Sequence, residues 1–154
     1  MSTLHPTAVR VADRLAAAGL DVTVVEHAQS SRTAEEAAAT AGCELGQIVK
    51  SLVFTDDRGP VLVLCAGDRR VDAAALGVRR ATPDQVREAT GFAIGGVPPL
   101  GHPAPVRTLV DASLRRFGTV WCAAGTPNAV FEVGTEDLIA ALPDGEVREL
   151  TEPV

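Results

Sequence analysis

The sequence predicts an α/β fold of the mixed, α+β kind: a single compact domain with a central mixed β-sheet flanked by helices. Three observations carry this expectation. The 154 residues are 46% hydrophobic and 22% charged, a globular balance in a chain long enough to bury one core. Helical spacing and strand alternation both occur along the chain. Their order runs helix, strand, helix, hairpin, helices, loop, strands and a last helix, which is not a regular βαβ alternation. The expected domain spans residues 1–154, with its core at about 7–142.

The first helix is expected from Pro6 to Ala18, with Val9, Ala12, Leu15 and Ala16 at helical spacing, Pro6 in the first turn and Gly19 as the stop. Leu20 to Glu26 alternates as a strand and ends at His27. Thr33 and Glu36 form a capping box that opens a short alanine-rich helix, and Gly42 closes it. Glu44 to Gln47 is a turn or a short helical piece leading into Ile48 to Thr55, read as a strand. Asp56-Asp57-Arg58-Gly59 reads as a hairpin loop, and Pro60 to Ala66 as a strand buried on both faces. Asp72 caps a short helix at Ala73 to Leu76. Thr82 and Gln85 form a second capping box, with proline at the first helical position and Gly91 at the end. Val106 to Val110, Thr119 to Ala123 and Ala129 to Val133 read as strands, with Asp111 capping a turn. A final helix starts at Thr135, carries acid in its first turn and is stopped by Pro143. The tail after Asp144 is weakly specified.

Within this frame one strand stands out. Of the 14 basic residues only Lys50 is a lysine. Alternation puts it with Ile48, Leu52 and Phe54 on the more apolar face, opposite Val49, Ser51, Val53 and Thr55. Two readings are open: a strand lysine whose stem is buried while its head reaches water, or a compact ammonium kept for a task a guanidinium cannot do.

The most irregular segment is Gly95-Gly96-Val97-Pro98-Pro99-Leu100-Gly101-His102-Pro103, with three glycines and three prolines in nine residues. It is either a plain connector or a turn whose backbone N–H groups converge on a carbonyl or oxyanion. His102 reads as a structural residue, a general base or a donor to substrate; His27 carries the same alternatives. Asp111 either pairs with Lys50 or caps the turn after it. Ser30, Ser31 and Thr33 add hydroxyls, Thr33 already serving as a cap.

Other classes are disfavoured. No apolar run reaches the ~18 residues a membrane helix needs, and the N-terminus lacks the pattern of a signal peptide. Cys43, Cys65 and Cys122 are odd in number and widely spaced, which fits a reducing cytoplasm rather than a disulfide framework or zinc site. His5, His27 and His102 lack metal-ligand spacing, so neither metal nor cofactor is expected. A net charge of −6 argues against holding long nucleic acid by its backbone. It leaves room for gripping one end of an RNA through Arg69-Arg70, Arg79-Arg80 or Arg115-Arg116. Phosphate-loop, dinucleotide, metalloprotease and serine-hydrolase motifs are absent.

Five pieces in order resemble the YbaK/EbsC family, the editing domains associated with prolyl-tRNA synthetase. They are the Thr33–Ala38 helix start, Ile48–Phe54, Gly95–Gly101, Val110–Leu114 and the segment from Glu132 through Asp137-Leu138-Ile139. The resemblance covers roughly residues 7 to 142. It implies a compact α/β fold and hydrolysis of the ester between a wrong amino acid and the terminal adenosine of a tRNA. Lys50 matches the family's strand lysine, thought to hold the terminal nucleotide or substrate, and Gly95 to Pro99 matches its GxxxP loop. No side-chain nucleophile is implied; water attacks. The expected catalytic set is Lys50, Gly95, Gly96 and Pro99. The expected substrate-binding set is Lys50, Gly101, His102, Asp111, Thr33 and His27. The expected partner is an aminoacylated tRNA acceptor end, with no DNA, no membrane and a monomer or weak homo-oligomer. The segment Ala124 to Ala129 departs from the family's glycine-rich pattern, so the amino acid removed is left open. A non-catalytic binding module and Schiff-base chemistry at Lys50 stand as alternatives.

Overall fold

The computed structural model of the chain describes residues 4–28, 33–142 and 145–154. Ser30, Ser31 and Pro143 lie outside the described residues. Helix α1 (Pro6–Ala17) starts on proline and ends before Gly19, whose φ of +87° suits a residue without a side chain. Its buried stripe is Ala8, Val11 and Leu15; of the expected stripe Leu15 is buried and Ala12 packs against the core, while Val9 is exposed. Strand β1 (Val24–Glu26) is shorter than the alternation from Leu20 suggested. Helix α2 (Ala34–Ala41) has Thr33 as its cap, the hydroxyl accepting from the Glu36 N–H at 3.1 Å, and ends at Gly42. A 3-10 turn (Leu45–Gln47) then delivers the chain into β2 (Val49–Asp56).

Strand β2 turns through Asp57 and Arg58 into β3 (Gly59–Ala66), pairing antiparallel with Lys50 opposite Cys65 and Ser51 opposite Leu64. Val61 through Ala66 are all buried, as their unbroken apolar run requires. After β4 (Arg69–Val71) come α3 (Ala73–Leu76), capped by Asp72, β5 (Arg79–Arg80), and α4 (Pro83–Thr90), with a full capping box between Thr82 and Gln85. Beyond the Gly/Pro loop follow β6 (Arg107–Asp111), a 3-10 turn (Ala112–Arg116), β7 (Thr119–Ala123), β8 (Ala129–Gly134) and α5 (Thr135–Ala141). The tail is ordered into β9 (Glu146–Arg148) and β10 (Thr151–Pro153), which local pattern had left unassigned.

The central sheet is mixed, in the order β5-β2-β3-β6-β9: β5, β2 and β3 are antiparallel, whereas β6 and β9 join in parallel. A three-stranded antiparallel sheet, β1-β8-β7, lies beside it, and β10 pairs with β4. Among the described residues the two larger sheets meet at a single bridge between Ile48 and Trp121. Two apolar layers sandwich β2 and β3. Val49, Val53, Leu62 and Leu64 join the main core with α1, β7 and β8. Phe54, Val61, Val63 and Cys65 form a second cluster with Val71 and Leu150. Among the described residues no helix is long and apolar enough to cross a membrane.

Candidate functional site

On the edge of β2 away from β3, only Phe54 and Thr55 pair with β5, and Ile48 bridges to Trp121. Between those points no strand of the described residues covers β2. A cavity of about 310 Å³ fills the gap. Its walls are the small side of α2 (Ala34, Ala37, Ala41), the start of β2, Trp121 to Ala123 of β7, and Ile94, Gly95 and Val97 of the Gly/Pro loop. Arg80, Ala81 and Val86 close the remaining side. Alanines on α2 leave the room; a run of larger residues there would fill it.

Of the nine expected site residues, Lys50, Gly95, His27 and Thr33 line this cavity, and Gly96 adjoins it. Pro99, Gly101, His102 and Asp111 do not line it. Lys50 lines the cavity, but its ammonium donates to the Arg69 carbonyl, and Arg69 is not part of the lining. This follows from alternation: Lys50 shares the face of Leu52 and Phe54, the face of the second cluster. Opposite it, burial pushes the Cys65 thiol up to about 11, with the Lys50 charge pulling weakly the other way.

The Gly/Pro loop is held from three sides. The Gly125 N–H donates to the Gly96 carbonyl at 2.9 Å. A Cβ at Gly96 would lie 2.8 Å from the Gly125 carbonyl oxygen, so only glycine permits this approach. Arg14 of α1 donates to the Gly101 carbonyl. The His102 ring packs edge-on against Phe92, and its Nε2 sits 2.8 Å from the Pro98 carbonyl. Burial lowers the His102 pKa, the Pro98 carbonyl opposes that, and the Arg14 charge adds to the lowering. A neutral imidazole donating from Nε2 to Pro98 satisfies this arrangement. His102 thus clamps the loop on the side away from the cavity.

Asp111 is 2% exposed and lies at the end of β6. Its carboxylate accepts from the Ser113 N–H and hydroxyl, the Leu150 N–H and the Thr151 hydroxyl, the last two at 2.8 Å. Burial raises its pKa, but the Ser113, Leu150 and Thr151 donors outweigh that and hold it below the usual carboxylate value. Of its two expected roles, capping is the one observed, extended to anchoring the tail. No hydrogen bond or salt bridge joins it to Lys50 among the described residues.

Three cavity residues escaped sequence reasoning. Trp121 is the chain's only tryptophan, a signal that was available. Arg80 was visible only as half of a basic pair; here it lies over the Phe54 ring at 5.8 Å and lines the cavity. Ser51 carried no local signal at all. Among the described residues the charged side chains lining the cavity are Lys50 and Arg80, with no carboxylate. A larger, open groove of about 510 Å³ beside α5 carries Asp21, Glu132 and Asp137 instead, the wrong sign for a phosphate. Among the described residues no group of three or more His, Cys, Asp or Glu side chains could hold a metal ion.

Comparison with known proteins places this geometry. The family model for the aminoacyl-tRNA editing domain matches residues 28–141. A crystal structure of a candidate trans-editing enzyme for prolyl-tRNA synthetase superposes with a TM-score of 0.90 at 45% identity, covering 97% of this chain and 99% of that one. YwhH of Bacillus subtilis, an uncharacterized protein, is 38% identical over 122 residues, 75% of this chain and 78% of its own length. The proline–tRNA ligase of Nitratidesulfovibrio vulgaris is 33% identical over 92 residues, 55% of this chain but 16% of the ligase.

Proposed function

The chain belongs to the aminoacyl-tRNA editing domain family, and from that premise we propose that it is a freestanding deacylase. It hydrolyses the ester joining a wrong amino acid to the terminal adenosine of a tRNA. One observation carries the reading: a cavity at the open edge of β2 that, among the described residues, combines apolar walls, two cations, no carboxylate and the backbone of a glycine-rich loop. The cations suit the phosphate and ribose of an acceptor end. The loop at Gly95 suits the ester, where its backbone N–H stabilises the oxyanion as water adds, whereas the Gly96 N–H is already given to the Ala93 carbonyl at 3.0 Å. Collapse of that intermediate releases the amino acid and returns the ribose hydroxyl.

Lys50 acts through its charge in this scheme, not as a nucleophile. Its four-carbon stem carries the ammonium from the Arg69 carbonyl to the rim when a substrate phosphate or ribose offers a better acceptor. His102 and Arg14 position the loop from behind, and Asp111 holds the fold without meeting the substrate. The walls sieve by size, and a pocket separates one methylene by only ~1–3 kcal/mol, which is why hydrolytic correction is useful.

A second reading is a non-catalytic module that holds an aminoacyl-tRNA end. The position of His102 favours it: its Nε2 is on the Pro98 carbonyl and the ring does not line the cavity, so that imidazole does not meet a bound ester. A deacylation panel of mischarged tRNAs, run with the wild type and Lys50→Ala side by side, decides between them. Hydrolysis lost in the variant supports the deacylase. Saturable binding with no hydrolysis of any ester supports the module, and full activity in Lys50→Ala sinks the role given to that ammonium.

A further inference from the structure

Among the described residues one buried side-chain polar atom lacks a hydrogen-bond partner: the hydroxyl oxygen of Ser51. Buried polar groups are nearly always paired, so the exception asks for a cause. Ser51 sits in β2 between Val49 and Val53, whose side chains are in the main core, and it lines the cavity. Its backbone points there too. The Ala81 N–H donates to the Val53 carbonyl on the edge away from β3. In a strand the N–H and C=O of one residue share a direction that reverses at each step. Ser51, two residues from Val53, therefore turns its own N–H and C=O to the uncovered edge. Around that point the walls are apolar: Val49, Val53, Val97 and Trp121.

We propose that Ser51 determines the specificity of this cavity, and that its substrates are aminoacyl esters with a small, uncharged side chain carrying a hydrogen-bonding group, a β-hydroxyl above all. The inference rests on the deacylase reading above. An aliphatic side chain fills the apolar walls but leaves the Ser51 hydroxyl unpaired. A hydroxylated one of the same size fills them and pairs it. A site built to hydrogen-bond a hydroxyl rejects the analogue without it more strongly than an apolar wall rejects a lost methylene. Among the described residues no carboxylate lines the cavity, which disfavours lysyl and arginyl side chains.

The test uses one tRNA charged with each member of two near-isosteric pairs, threonine against valine and serine against alanine, and measures kcat/KM for each ester. The wild type is expected to prefer the hydroxylated member by roughly tenfold or more. Ser51→Ala is expected to bring both ratios near unity, through loss on the hydroxylated esters, and Ser51→Thr, which keeps a hydroxyl, to restore part of the preference. Because Ser51→Ala removes an unpaired group, its Tm should equal or exceed the wild type's. A wild-type preference for the aliphatic members overturns the proposal. So does an equal loss on all four esters in Ser51→Ala, which would place the hydroxyl at the reacting ester instead. No hydrolysis of any ester by the wild type would take down the deacylase reading itself, and this inference with it.

Discussion

Lys50 and Ser51 are neighbours in sequence and face opposite sides of the same strand, and the two sides are finished differently. On the Lys50 side Leu52 and Phe54 pack with Val61, Val63 and Cys65, and the ammonium is already paired with the Arg69 carbonyl. On the Ser51 side Val49 and Val53 belong to the main core, yet the hydroxyl between them is unpaired at the wall of a cavity. The completed side can hold its charge in place in the free protein. The incomplete side has a group whose best partner is not in the chain. A buried group left unpaired costs about 1–3 kcal/mol, so the two sides predict opposite responses to truncation.

The largest effect is expected at Lys50. Lys50→Ala should lower deacylation about a hundredfold or more, the scale of a lost charge-assisted contact. It should cost only ~1 kcal/mol of stability for the acceptor left at Arg69. Lys50→Arg should also be impaired, since a planar guanidinium does not occupy an ammonium's place. Single-turnover deacylation and thermal melting read the two quantities separately. A large drop in Tm with intact activity would reverse the comparison and make Lys50 the structural residue. The Ser51→Ala series is its mirror image, with specificity changed and stability kept.

Gly96 tests whether the cavity needs its loop held closely. Gly96→Ala brings a methyl against the Gly125 carbonyl oxygen at 2.8 Å and Thr126 Cα at 3.0 Å, and overpacking of this kind costs ~1–3 kcal/mol. Gly95→Ala meets nothing within 4 Å, but its φ of +89° strains an alanine by ~1–2 kcal/mol. The first substitution parts two loops and the second strains only one, so kcat/KM should fall further in Gly96→Ala.

Asp111 is predicted to matter for stability alone. Asp111→Asn loses charge-assisted bonds to Ser113, Leu150 and Thr151 and should cost ~1–3 kcal/mol in denaturant melts without changing kcat/KM. Because the folded carboxyl titrates below its ordinary value, its stabilisation is complete at neutral pH. It is lost as pH falls below about 4, where the unfolded chain binds the proton first. The variant's pH–stability curve should be flatter than the wild type's there.

The smallest effect is chemical. Burial holds the Cys65 thiol near 11, so alkylation at pH 8, followed by peptide mass spectrometry, should mark the partly exposed Cys43 and leave Cys65 unmodified. Rapid labelling of Cys65 would mean that the Lys50 side opens.

Much of the fold was legible because its signals are local. Thr33, Asp72 and Thr82 cap the helices their spacing announced, and Gly42 and Gly91 end them. Strands β2 and β3 follow from an apolar run broken by a turn. The missed strands are short and mostly polar: Arg69-Arg70-Val71, Arg79-Arg80, Glu146-Val147-Arg148 and Thr151-Glu152-Pro153. Strand β10 forms because β4, far earlier in the chain, offers a free edge, with Thr151 opposite Val71. No local propensity encodes that. The same limit applied to the site. A solitary lysine and a Gly/Pro loop can be read in order, whereas Ser51 between two valines looks like ordinary strand.

The sequence by itself determined which residues share a face of β2, where the helices begin and end, and that Lys50 and Gly95–Gly101 are unusual, since these depend on dihedral preference, alternation and composition over a few residues. Only the tertiary structure decided what covers each face. Whether β2 has a neighbour along its edge depends on where β5 and β7 stop, and that gap makes the cavity. Whether a polar atom is paired depends on groups brought from distant parts of the chain: Arg69 reaches Lys50 and Leu150 reaches Asp111, while none of the described residues reaches Ser51.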